Sequence, residues 1–190
     1  MYEFLQDTEV IDWQHPNILS LAHQLTADSI ESTARRCFEW VRDEIRHSGD
    51  HQLEPITCIA SDVLKARTGF CYAKSHLLAA LLRASAIPAG FCYQRLTADD
   101  TGHKFCLHGL NAVFLPGLGW YRIDARGNKP AVNAQFTPPV EQLAFKPQLP
   151  GETDLPGIHA DPLPEVLTAL RTYTTVSSLS SNLPDVTLPA

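Results

Sequence analysis

Apolar residues recur at helical spacing through the first half of the chain and then switch to the two-residue alternation of strands. Over residues 29–47, Ile30, Ala34, Cys37, Phe38, Val41 and Ile45 fall close to a helical rhythm. Thr26-Ala27-Asp28, with Glu31 three residues on, supplies a start signal. The spacing predicts an amphipathic helix there, with shorter helices over 18–25 and 59–65. Residues before Asn17 read as irregular, Ser48-Gly49-Asp50 stops the long helix, and 51–57, with Pro55, reads as a loop. A further helix starts at or just after Cys71. Leu78, Leu81, Leu82 and Ser85 share a stripe that also takes in Ser75 and Cys71, so the cysteine is expected to point toward the core side. Pro88 ends this helix.

Residues 91–96 read as a strand, 97–103 as a polar, Asp- and Gly-rich turn, Phe105–Leu115 as a second strand and 120–124 as a third. The turn Pro116-Gly117-Leu118-Gly119 makes the last two a hairpin. A three-residue loop at 115–117 or at 116–118 pairs even-numbered residues with even-numbered ones. In either register His108 and Asp124 project from the same face, directly opposed or one diagonal step apart. That face also carries Cys106, Leu110, Ala112 and Phe114, and is expected to lie against the helix bearing Cys71. Trp120 reads as core, and His76, off the Cys71 stripe, as a surface or packing residue.

The stretch Thr68-Gly69-Phe70-Cys71-Tyr72 runs a turn signal directly into that helix. A thiol at a helix start meets free backbone N–H groups and the positive end of the helix dipole, which favour thiolate and can later hold an oxyanion. Read alone, Cys71 is also compatible with a buried core cysteine. With His108 and Asp124 downstream it completes a Cys-His-Asp set, if the fold brings the three together.

Composition narrows the classes. With 190 residues and 44% hydrophobic content the chain can build a single domain over 1–190, its core about 28–128. From Pro130 onward the composition shifts: prolines punctuate a segment with one convincing helix, Pro164–Thr172, and a Ser/Thr-rich stretch over 174–182. Phe136, Leu143, Phe145, Leu149, Leu155, Ile158 and Leu167 are too many apolar residues for a free tail. Residues 129–190 are therefore expected to form a Pro-rich arm wrapping the core and able to line a cleft. Net charge is −6 and the longest basic run is Arg35-Arg36, which argues against a nucleic-acid partner. No leader pattern opens the chain and no apolar run reaches the ~18 residues of a membrane span, so no membrane partner is expected and the expected address is cytoplasmic. Five cysteines, an odd number without zinc-ligand spacing, argue against a disulfide framework, a metal or another cofactor. Cys37, Cys58, Cys92 and Cys106 read as small buried hydrophobes.

Gly69-Phe70-Cys71, the run Leu77-Leu78-Ala79-Ala80-Leu81-Leu82-Arg83-Ala84-Ser85-Ala86-Ile87-Pro88-Ala89, then His108, then Gly119-Trp120-Tyr121-Arg122-Ile123-Asp124 together resemble the core of the bacterial transglutaminase-like superfamily. The likeness spans roughly 30–128, since Phe38-Glu39-Trp40-Val41-Arg42-Asp43-Glu44-Ile45 resembles the helix preceding the nucleophile in that family. It implies a papain-like α+β fold, the nucleophile heading a helix packed on an antiparallel sheet. It also implies Cys71 as nucleophile, His108 as general base and acid, and Asp124 as the group orienting the imidazole. The chain departs from the family pattern at Phe70, Ala86, Gly90, Leu110 and Ala125, which bear on the pocket walls more than on the chemistry.

The reaction so implied is thiol-dependent acyl transfer or hydrolysis at an amide bond of a peptide or amide substrate, by a cysteine peptidase or amidase. His51 and Gln52 are candidate oxyanion helpers, and equally read as solvated loop residues. No calcium loop is present in the pattern. The alternative is a non-catalytic binding or scaffold domain on the same fold, its cleft blocked by Phe70 or the arm. A further possibility is an amine acyltransferase using a thioester donor.

Overall fold

The computed structural model describes residues 1–98 and 102–186, so part of the turn expected over 97–103 lies outside the described residues. Helix α1 (Pro16–Leu25) starts one residue after His15, whose ring accepts the Asn17 N–H, and α2 spans Ile30–Glu44. The cap of α2 is Ser29, accepting the Ser32 N–H, rather than the Thr26 to Asp28 signal with Glu31. The helix also stops earlier than its apolar rhythm. Ile45 turns extended, and Arg46–His47 becomes a short strand β1, parallel to β2 (Thr68–Gly69), with Arg46 beside Thr68 and His47 beside Gly69. Between them lie a one-turn helix α3 (Ser48–His51) and α4 (Ala60–Ala66).

Helix α5 (Cys71–Ala84) has no polar face. Every residue from Cys71 to Arg83 is buried, with α1, α2 and α4 on one side and the sheet on the other. The stripe read from the sequence is thus part of a surface buried all round, the position of a helix enclosed in a core. Its two buried cations are held by backbone carbonyls. Arg83 donates to Gln6 O (2.9 Å), Ala89 O (2.9 Å) and Ala160 O, tying the amino-terminal turn and the arm to one point. Lys74 donates to Arg42 O (3.2 Å) and Ile45 O, carbonyls that the early end of α2 leaves without helical partners.

The sheet comprises β3 (Ala89–Thr97), β4 (Phe105–Leu115), β5 (Gly119–Ile123) and β6 (Thr153–Asp154), antiparallel in the order β5-β4-β3-β6. The hairpin takes the 116–118 loop: Leu115 faces Gly119 and Asn111 faces Ile123, which puts His108 and Asp124 one diagonal step apart on one face. That face does not lie against α5, as the sequence led us to expect. The helix packs on the opposite, odd-numbered face, where Asn111 donates to Ser75 O (3.0 Å), Gly109 abuts the Tyr72 ring and Val113 joins the main core. Leu110 and Ala112, with Cys92, are covered instead by Leu143 and Ile158 of the arm and by half-buried Trp120, which stacks edge-on against Phe4 and Phe114. The layers are therefore helices, sheet and arm.

The arm is bonded along its described length. Phe136 is buried against α2 and its carbonyl takes Arg35 (2.6 Å); Tyr121 donates to Val140 O (3.0 Å); His159 bridges Phe91. It continues into α6 (Pro164–Thr172) and α7 (Val176–Ser181). The latter is a helix inside the Ser/Thr-rich stretch, started by a reciprocal Thr175–Ser178 capping box.

Close packing of the arm makes one glycine decisive. A Cβ at Gly90 would sit 2.5 Å from Ile158 Cγ2 and 3.0 Å from His159 O. We predict that Gly90→Ala destabilises the fold by about 1–3 kcal/mol in urea unfolding, with faster limited proteolysis between 140 and 160. Unchanged stability and cleavage would show that the arm is not held against β3.

Candidate active site

Cys71, His108 and Asp124 come from three elements. Cys71 is the first residue of α5, whose N-cap Phe70 offers no side-chain acceptor, so the helix's first N–H groups keep no side-chain cap. His108 projects from β4, buried at 4% exposure, and its Nε2 lies 2.7 Å from Asp124 Oδ2, just past β5. That leaves Nδ1 as the ring nitrogen for the Cys71 sulfur. Tyr72 holds the strand at this point, its hydroxyl donating to Leu107 O while its ring fills the space that a Cβ at Gly109 would need.

Asp124 is fully bonded. Besides His108, Oδ1 accepts the Arg126 N–H (3.1 Å) and Oδ2 the Ala144 N–H (3.0 Å), the second from the arm. Burial pushes its carboxyl up, but the field and hydrogen bond of His108 and the two backbone donors outweigh this and hold it below the usual carboxylate range. Burial likewise pushes the His108 imidazolium down, yet the Asp124 carboxylate and the Cys71 sulfur raise it to about 10. Phe145 stands edge-on to the imidazole, ring centres 4.9 Å apart.

A cavity of about 760 Å³ opens on this group, lined by Cys71, His108, His47, Arg126, Phe145 and Leu149 among others. Arm residues thus form one wall. Arg126 is held by Asp50 through two bonds of 2.7 and 2.9 Å, and Lys129 reaches the same carboxylate at 2.7 Å. Burial raises the Asp50 carboxyl, but these two cations more than reverse it and leave it well below the ordinary range.

The oxyanion helpers proposed from sequence are not at the cavity. Gln52 donates its amide to Gly49 O (2.7 Å), and neither it nor His51 lines the space. His47 lines it instead, brought beside Gly69 by the β1–β2 pairing. Its rhythm assigned it to the end of the preceding helix, so this placement was hidden. Of the two readings of His76, surface or packing, the structure bears out packing: it is buried, edge-on to Phe91, with Nδ1 2.7 Å from Cys58 O. Cys37 and Cys92 are buried as expected, whereas Cys58 and Cys106 are only half-buried, and Cys106 lines the cavity. Lys74 also escaped notice, although a lysine in an otherwise apolar stretch was a usable signal. Burial, aided by Arg126, lowers its ammonium to about 7 against the pull of Asp124. Among the described residues, no group of three or more His, Cys, Asp or Glu side chains converges as metal ligands.

The Transglutaminase-like superfamily matches residues 19–125, more than half of the chain. The chain belongs to this superfamily. No curated protein matches it. Among solved structures, a proposed cysteine protease from Cytophaga hutchinsonii superposes with a TM-score of 0.54 at 20% identity, over 66% of this chain and 41% of that one. The periplasmic domain of TgpA from Pseudomonas aeruginosa gives 0.49 at 20% identity, over 65% and 46%. The chain spans less than half the length of either. The first likeness bears on the fold, which for this superfamily member is α+β with Cys71 heading its central helix.

His108 and Lys74 should act oppositely on stability. His108 is raised, so the stability it contributes is complete below its unfolded value of 6.5 and is lost as pH rises toward about 10. Lys74 is depressed to about 7, so the unfolded chain binds more protons above that pH and stability rises through the same window. Between pH 7 and 8 each contributes about 1 kcal/mol, with opposite sign. Urea unfolding at the two pH values should show Lys74→Met losing about that amount and His108→Gln gaining it, relative to wild type. Parallel behaviour of all three proteins would contradict both assignments.

Proposed function

We propose that this chain is a thiol-dependent hydrolase or acyltransferase acting on an amide bond, most simply a cysteine peptidase or amidase. The observation that carries the reading is the arrangement at one cavity of a helix-heading cysteine and a histidine bonded at 2.7 Å to a buried carboxylate. In this reading His108 Nδ1 takes the Cys71 proton, and the imidazolium is held by Asp124. The sulfur attacks the carbonyl carbon of a peptide or amide, and His108 returns the proton to the leaving amine. Water, activated by the same imidazole, then releases the acid from the thioester; a second amine in its place gives transamidation.

Family membership and a fold shared with a proposed cysteine protease support this reading. The non-catalytic alternative required a cleft blocked by Phe70 or the arm. Both stand as walls of the cavity, and Cys71 and His108 share its lining with them.

The test is the pH dependence of Cys71 alkylation by iodoacetamide, with the other four cysteines separated by peptide mapping. Wild type should label rapidly at pH 6.5, and His108→Ala about a hundredfold more slowly there, since a thiol with an ordinary pKa of about 8.5 is only about 1% thiolate at that pH. Labelling that follows an ordinary thiol in both proteins would overturn the proposal and favour a binding role.

A further inference from the structure

An acyl-transfer site of this kind needs a second donor for the oxyanion, beside the Cys71 N–H. The geometry points to His47, acting through Nε2–H as a neutral donor. This rests on the acyl-transfer reading above. The His47 side chain is 10% exposed and lines the cavity that holds Cys71 and His108. The parallel β1–β2 pairing fixes its backbone beside Gly69, two residues before the cysteine, and its ring packs edge-on against Phe70, the residue capping α5, with centres 5.5 Å apart. It therefore stands next to the helix start that would bear the oxyanion.

The tautomer follows from the ring's own contacts. Nδ1 accepts the Asp50 N–H at 3.3 Å, so in a neutral imidazole the proton is on Nε2. Gly49 closes that side: a Cβ there would meet His47 Cε1 at 3.2 Å and Phe70 Cε1 at 3.3 Å. Nε2 has no partner among the described residues, and is left for the cavity that the ring lines. Neutrality follows from the surroundings. Burial, then the charge of Arg126, drives the imidazolium down to about 3, with Lys74 and His108 adding to it; Asp50, 3.7 Å from Nδ1, opposes this but is itself neutralised by Arg126 and Lys129.

In the step proposed, the Cys71 sulfur forms a bond to the carbonyl carbon and the π pair moves to the oxygen. The Cys71 N–H and His47 Nε2–H then hold that oxyanion by hydrogen bonds without proton transfer. As the pair returns, the bond to the leaving group breaks and the amine departs with the proton from His108.

Two reactions of the same thiolate separate this role from any effect on Cys71 itself. Alkylation by iodoacetamide is displacement at a saturated carbon and builds no oxyanion. Acylation by p-nitrophenyl acetate does, and releases p-nitrophenolate that can be followed directly. His47→Ala should lower the acylation rate about 10²-fold and leave alkylation at pH 6.5 within about threefold of wild type, which also serves as the check on folding. His47→Gln, with an amide donor at similar reach, should recover part of the acylation rate. If both reactions fall together in both variants, or neither changes, His47 is not the oxyanion donor. A wild-type protein that alkylates slowly, like an ordinary thiol, is a different result: it overturns the acyl-transfer reading and this inference with it.

Discussion

The buried pair of His108 and Asp124 is the constraint around which the rest of the molecule is arranged. Two charges removed from water are tolerated only when their remaining hydrogen-bonding capacity is met, because the desolvation cost otherwise exceeds their attraction. Asp124 meets this with three donors: the imidazole at 2.7 Å, the Arg126 N–H and the Ala144 N–H. The last comes from the arm, so the carboxylate cannot be fully satisfied by the helix and sheet alone. The arm then places Phe145 against the imidazole and Leu143 over Leu110 and Ala112, which joins hydrophobic cover to electrostatic need.

The two histidines at the cavity show how partners divide protonation between chemically identical groups. His108 has a carboxylate at hydrogen-bond distance and is driven toward imidazolium. His47 faces a carboxylate at 3.7 Å that Arg126 and Lys129 have already neutralised, and it is driven toward imidazole. Lys74 of α5 contributes to the second effect, since its charge opposes protonation of His47. A proton-carrying imidazolium and a neutral donor in one cavity need this separation. Removing the two cation partners of Asp50, Arg126 and Lys129, would weaken it without touching either ring.

Local signals in the sequence carried much of this. The turn into an apolar helix located Cys71, and the parity of the hairpin register put His108 and Asp124 on one face before any coordinates. What was not legible depended on contacts distant in sequence. The end of α2 at Glu44 goes with Lys74 taking the Arg42 and Ile45 carbonyls, thirty residues on, and nothing in the apolar rhythm of 30–45 reports it. The resulting β1–β2 pair is too short to have a strand pattern, so His47 could not be placed beside Gly69 and the search for a donor fell on His51 and Gln52. The helix α7 was obscured because Ser and Thr favour turns and caps over helix interiors; here Thr175 and Ser178 use that preference to start one.

The face of the sheet was misassigned for a reason that also explains why the cysteine sits where it does. Apolar character alone suggested that Leu110 and Ala112 meet the helix, but both faces of β4 are apolar because both are covered. The helix takes the odd face, where Tyr72 abuts Gly109 and the Ser75 carbonyl accepts from Asn111, while His108 projects from the other face. Strand β5 pairs β4 over Asn111–Leu115 alone, and beyond it the same edge is taken by other groups: Leu107 N–H donates to Pro184 O (2.7 Å) and Leu107 O accepts from Tyr72. The first residue of α5 lies at this edge, where Cys71 and His108 line one cavity. A short β5 and a cysteine at the helix terminus therefore go together: a strand continued along β4 would compete with Tyr72 and Pro184 for Leu107, beside the cavity that Cys71 and His108 share.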